Sequence, residues 1–206
     1  AIYDFEVGRR AGEKARGDWN DRYHANIIVA SGPRSAIPHY MSNDQIIRDG
    51  DLVLIDSGVD FDGYVSDISR TFPANGRFSA RQRELYEIVL EAQSAAVRIM
   101  KPGVTAREVH AAVYETFRHH GLESYSFGIA GHPIGLNIHD ANGWKYDDDL
   151  PFEPGHTLAI EPFLMIPEEG TTGEIPLSRI ILTVSILPVI AVVQGLVYFG
   201  GKYYVE

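Results

Sequence analysis

Between Asn26 and Phe72 the apolar residues come in short runs bounded by glycine, proline and aspartate, the pattern of strands joined by tight turns. Asn26 to Ser31 (NIIVAS) predicts a strand that Gly32-Pro33 ends. Asp51 to Ser57 (DLVLIDS) and Tyr64 to Phe72 (YVSDISRTF) predict two more, with DFDG as the turn between them. At Ser79 the period changes. Leu85, Ile88, Val89, Ala92, Ala96 and Ile99 fall on one face of a helix that Ser79 caps and that runs to about Met100, where Lys101-Pro102-Gly103 stops it. Thr105 caps a second helix to His120, ended by Gly121. From Ser126 onward glycine-rich loop and strand are expected. Ile180 to Gly201 carries no charge and is long enough to span a bilayer. Its Ile and Val content, and its breaks at Pro188, Gln194 and Gly195, predict two or three buried strands instead.

A chain of 206 residues suits a single domain, 1–206, with a substantial core. Ile2 to Asp18 echoes Val104 to Gly121 in spacing, with Glu-Val pairs at Glu6-Val7 and Glu108-Val109. If the fold is two related halves, the N-terminal part of the first is missing. Composition is ordinary for a globular protein, 45% hydrophobic and 22% charged. The net charge of -10 argues against nucleic-acid binding, which needs a concentrated basic surface. The absence of cysteine excludes disulfides and thiolate metal sites. AIYDFEVGRR lacks the features of a signal peptide, so the expected compartment is the cytoplasm.

Three pieces carry candidate chemistry. Asp56 and Asp67 are flanked by Leu54, Ile55, Val65 and Ile68. With DFDG as the turn they face each other across a hairpin, Cβ atoms about 5 Å apart. Adjacent buried carboxylates repel, and a shared proton or a cation relieves them; the plainer alternative is two aspartates at strand ends. GIAGHPIGLNIHD holds His132 and His139 in a glycine-rich segment that permits close approach to a ligand. Glu161 follows the apolar run HTLAI, a costly place for a carboxylate without a cation or donor. Oxygen ligands with imidazole suit Mn, Co, Zn or Fe at a hydrolytic site. His24, His110, His119, His120 and His156 receive no functional role.

IVASGPRSAIPHY, GDLVLIDSGVDFDGYVSDISRTF, GHPIGLNIHD and EPGHTLAIEPF resemble, in order, the motifs of the pita-bread metallopeptidases, the family of aminopeptidase P, prolidase, methionine aminopeptidase and creatinase. The resemblance implies an α+β fold, a curved antiparallel sheet with helices on its outer face. It implies two divalent metal ions, manganese foremost with cobalt, zinc or iron as alternatives, and hydrolysis of the bond before proline by a metal-bound water. Asp56 then resembles a ligand of one metal and Asp67 the bridging carboxylate. His132 and Glu161 resemble ligands of the other, with Glu161 also moving the water's proton. His39 and His139 resemble the histidines that line the substrate and steady the tetrahedral intermediate. The HY pair and GYVSDISRTF point to the aminopeptidase P and prolidase branch, acting on peptides with proline second.

The family's second bridging glutamate has no clear counterpart. In EEGTTGEIPLSRIILTV, Ile181 stands where it is expected, and Glu174 is the nearest substitute. Gly128 stands where many members have a further histidine, and residues 171–206 diverge. Without that glutamate one metal is held mainly by Asp56 and Asp67 and binds weakly. The competing readings are a silent pita-bread domain that binds a peptide or protein, and a metal-dependent hydrolase or lyase of a small carboxylated molecule. A homodimer through the apolar tail is also open.

Overall fold

The short apolar runs form strands of two to six residues, and every pairing among them is antiparallel. The computed structural model describes residues 27–58, 60–61, 63–126, 130–140, 149–166, 180–181 and 184–186. Strands β1 (Ile28–Ser31), β2 (Leu52–Ser57) and β5 (Ile68–Pro73) make one sheet in the order β1-β2-β5. Beyond it β3 (Asp60–Phe61) and β4 (Tyr64–Val65) pair as a hairpin tip. The outer edge of β1 is blunted by side chains. Asn43 accepts the Val29 N–H through Oδ1 at 2.7 Å and donates through Nδ2 to the Ile27 carbonyl at 2.7 Å, while Gln45 donates to the Val29 carbonyl at 2.8 Å.

The hairpin departs from expectation in its register. Asp56 stands opposite Ser69, not Asp67, and Tyr64 to Phe72 is not one strand, because Ser66 and Asp67 lie between β4 and β5. Phe61 pairs with Tyr64, so the pairing runs further toward the tip than a four-residue DFDG turn allows, with Gly63 at φ 86. Counting all four residues of DFDG as the turn shifts the pairing by two. A two-residue shift leaves each side chain on its own face, so Asp56 and Asp67 still share one.

Helices α1 (Ala80–Ile99) and α2 (Ala106–His119) each begin in a reciprocal capping box. In the first, Ser79 Oγ accepts the Gln82 N–H at 3.2 Å and Gln82 Oε1 accepts the Ser79 N–H at 2.9 Å. Thr105 and Glu108 do the same for the second. The predicted stripe of α1 is buried at Leu85, Ile88, Val89, Ala92 and Ala96, and Ile99 packs at its margin. It meets Val109, Val113 and Phe117 of α2, and both helices cover Leu52, Leu158, Ile160 and Leu164. This is the principal core.

The second sheet runs β10 (Val184–Ile186), β7 (Leu158–Ile160), β6 (Gly131–Pro133), and β8 (Phe163–Leu164) pairs with β9 (Ile180–Ile181). The described start of the apolar tail is thus strand. Among the described residues no helix is long and apolar enough to cross a membrane. The rest of the tail and the Ile2 to Asp18 echo lie outside the described residues.

Phe117 is fully buried between the helices, so Phe117→Ala is expected to cost about 3–5 kcal/mol in urea unfolding. Ser79→Ala, which removes one cap, should cost only about 1 kcal/mol. Equal losses would contradict this placement of the core.

Candidate functional site

Four strand ends, from two ladders, meet at one place. β2 brings in Asp56 near its C-terminal end, and the break before β5 brings in Asp67. His132 is the middle residue of β6, opposite Ala159, and Glu161 follows β7 directly. Asp67 and His132 are buried, 5% and 7% exposed.

Two glycines make the convergence possible, and neither was singled out from sequence. A Cβ on Gly58 would lie 1.9 Å from the Ser66 carbonyl oxygen, and one on Gly131 would lie 1.8 Å from that of Ala159. Gly58 occupies the position opposite Asp67 in the observed register, on the face that Asp56 also presents. With no side chain there, the two aspartates approach diagonally. At Gly131 the two strands that carry His132 and Glu161 close to a distance only glycine allows.

The imidazole of His132 binds the carboxylates together. Its Nε2 lies 3.1 Å from Asp67 Oδ2 and 3.1 Å from Glu161 Oε1, and its Nδ1 lies 3.0 Å from the Pro133 carbonyl oxygen. A carbonyl only accepts, so Nδ1 donates and Nε2 faces the two acids. Burial pulls the His132 pKa down, but the hydrogen bonds to Asp67 and Glu161 outweigh it and raise it to about 10. Asp56 is pushed up to about 7 by burial and then by the Asp67 charge, while Ser69, its cross-strand partner, pulls the other way. Protons thus do here what a cation would otherwise do.

His139 packs edge-on against His132 with ring centres 4.3 Å apart, and His39 lies 6.3 Å beyond it. Burial, then the His132 charge, lowers the His139 pKa, which favours a neutral imidazole with one N–H to donate. Its loop is closed by the Asp140 N–H to the Pro133 carbonyl at 3.0 Å and is tied to β4 by the Val65 N–H to the Gly135 carbonyl at 2.9 Å. His39 is exposed and has φ 51, an uncommon conformation for a residue with a side chain. The structure brings Asp56, Asp67, His132, Glu161 and His139 together, with His39 beside His139. Glu174 and Gly128 lie outside the described residues, as does His24. His120, just past the end of α2, pairs at the surface with Glu91 in the middle of α1 at 3.0 Å, and His156 accepts the Glu153 N–H in a turn.

Among the described residues no three His, Asp or Glu side chains already stand as a metal cage. The groups are hydrogen-bonded to one another instead, and the proton on His132 Nε2 takes the place between Asp67 and Glu161 that a cation would take. The donor set nevertheless suits a divalent ion. Three carboxylates and one imidazole meet in a buried spot, and Nδ1–H of that imidazole is anchored on a backbone carbonyl, which leaves Nε2 as the ligating atom.

Residues 4–187 match the model of metallopeptidase family M24. The chain belongs to that family. The Xaa-Pro dipeptidase of Pyrococcus furiosus is 43% identical over 145 residues, 70% of this chain and 41% of that protein. The Xaa-Pro aminopeptidase of Haemophilus influenzae is 36% identical over 175 residues, 72% of this chain and 39% of that protein. The solved prolidase of Pyrococcus furiosus superposes with TM-score 0.70 at 38% identity over 79% of this chain and 45% of that one. The chain thus spans less than half the length of these relatives. The M24 fold is the pita-bread arrangement that the motifs predicted, and M24 peptidases depend on divalent metal.

Asp56 and His132 both hold protons more tightly folded than unfolded, so the native state binds more protons than the unfolded chain between about pH 4 and pH 10. Metal-free stability should therefore fall as pH rises through that window: Asp56 contributes its share from about 4 to about 7, and His132 from about 6.5 to about 10. Added Mn²⁺ should raise the melting temperature more at pH 8 than at pH 5.5. Calorimetric scans that show metal-free stability rising over that range would contradict the site.

Proposed function

We propose that this M24 chain is a catalytic domain, 1–206, of a metal-dependent peptidase that cleaves the bond before proline in Xaa-Pro peptides. The observation that carries the reading is the meeting of Asp56, Asp67, His132 and Glu161 with His139 packed against the cluster. Similarity to Xaa-Pro dipeptidases and aminopeptidases supports the substrate class. The residues that hold the metal are Asp56, Asp67, His132 and Glu161, with manganese the first ion to test. Divalent ions there supply a Lewis acid for the scissile carbonyl and lower the pKa of a water toward neutrality.

The protein groups do the rest. Glu161 takes the proton of the attacking water and passes it to the proline nitrogen, which as a tertiary amide carries none of its own and leaves poorly until protonated. His139, whose pKa is lowered, donates its N–H to the oxyanion that forms as the carbonyl becomes tetrahedral. His39, exposed beyond it, lines the peptide's path.

Ile181, where the family pattern has a bridging glutamate, pairs with Phe163 on the strand after Glu161. A carboxylate missing from that position leaves one metal with fewer ligands. Calorimetric titration with Mn²⁺ is expected to show one tight and one weaker site. Equal affinities would mean that another carboxylate, Glu174 for instance, completes the set.

Turnover of Xaa-Pro dipeptides and longer Xaa-Pro peptides with added Mn²⁺ tests the activity itself. Asp67→Ala should abolish it, and His139→Ala should lower kcat by about 10²–10³ with less effect on KM. A chain that binds the metal yet turns over none of these peptides would favour the reading of a silent, peptide-binding domain.

A further inference from the structure

Sequence reading left His110 without a role, yet it is buried in the middle of α2 and bonded to the backbone beside the site. Its Nδ1 accepts the N–H of Ala130 at 2.9 Å. The carbonyl of that same Ala130 accepts the N–H of Glu161 at 2.7 Å. Ala130 is fully buried and immediately precedes Gly131 and His132. In the same peptide unit as the Glu161 N–H, the Ile160 carbonyl accepts from Nε2 of Gln93, a buried residue of α1, at 3.3 Å. Two polar side chains from the core face of two helices thus grip the open end of the β6–β7 ladder.

Burying an imidazole among Val109, Val113 and Phe117 is not what hydrophobic packing selects. The buried Ala130 N–H finds its acceptor in His110 Nδ1 and not in a strand carbonyl, and a buried N–H left without an acceptor is costly. An acceptor projecting from α2 meets that need and sets the height of the ladder end above the helix. His132 and Glu161 leave the backbone within two residues of the gripped atoms, and their side chains must reach one point.

We infer that His110 is a positioning residue for the candidate metal site, holding through Ala130 the backbone from which His132 and Glu161 project. The inference rests on the metal-binding reading above and adds a residue that acts on the ligands through the backbone. A helix thereby reaches the site through a main-chain bond. Gln93 supports the neighbouring carbonyl from the other helix.

The test compares His110→Leu, His110→Asn and a packing control, Val113→Ala, in the full chain. Mn²⁺ affinity is read by calorimetric titration, and exchange of the Ala130 amide is read by hydrogen–deuterium exchange on the metal-free protein. His110→Leu removes the acceptor and is expected to weaken Mn²⁺ binding about 10–100-fold. It should also speed Ala130 exchange by at least about tenfold relative to amides of α1. His110→Asn keeps an acceptor near the place of Nδ1 and should hold both readouts within about threefold of the parent. Val113→Ala should lower stability while leaving affinity within about twofold.

Parent-like affinity and exchange in His110→Leu would overturn the inference, as would a Val113→Ala affinity loss equal to that of His110→Leu. Should His110→Leu not fold, His110→Asn decides: a folded variant with tenfold or greater loss in either readout overturns the inference, and a parent-like one upholds it. A parent chain that binds no Mn²⁺ defeats the metal reading instead, and Ala130 exchange still decides whether His110 holds the ladder end.

Discussion

Like charges crowded out of water set the terms for this fold. Asp56, Asp67 and Glu161 come from three separate stretches of chain, and each on its own would be better solvated elsewhere. Together they are tolerable only with positive charge among them. In the protein alone that charge is the His132 ring, raised to about 10 by the two carboxylates it touches, together with a proton held on Asp56. In the metal site proposed above, protons and a divalent ion would compete for the same carboxylate oxygens. The stability and the chemistry of the site are therefore one problem.

Meeting that constraint consumes much of the architecture. Strand ends are drawn together closely enough that Gly58 and Gly131 have no room for a Cβ. The capped helices supply the rigid backing, because Leu52, Leu158, Ile160 and Leu164 belong to the strands that carry or adjoin the site and are buried against α1 and α2. Pro133 contributes its carbonyl to orient the His132 ring, and Asp140 closes the loop that presents His139. Pre-orientation by such outer contacts is what keeps a ligand set in place when its ion is absent.

His39 and His139 stand to one side of the carboxylates, both exposed, with His39 in an uncommon backbone conformation. A cluster that is acidic at its centre and imidazole-lined at its edge has a direction. An anionic oxygen formed during acyl transfer would be met from the histidine side, and a proton would be moved from the carboxylate side. That division of labour belongs to the proposed function, and the placement and the lowered pKa of His139 support it.

Sequence alone determined the helices, their caps and their buried faces, because a 3.6-residue apolar period and a capping box are local properties that Ser79, Thr105 and their followers express without outside help. It also determined the face shared by Asp56 and Asp67, since strand alternation survives a two-residue error in pairing. Tertiary structure decided the rest. The register itself turned on how far the pairing continues into DFDG, where Phe61 meets Tyr64, and the diagonal approach depended on the bare position at Gly58. His110 looked idle in sequence because its partner, the Ala130 N–H, is twenty residues away and becomes a neighbour only when α2 packs beneath the ladder. Periodicity reports which side of an element is buried; only packing reports what it is buried against.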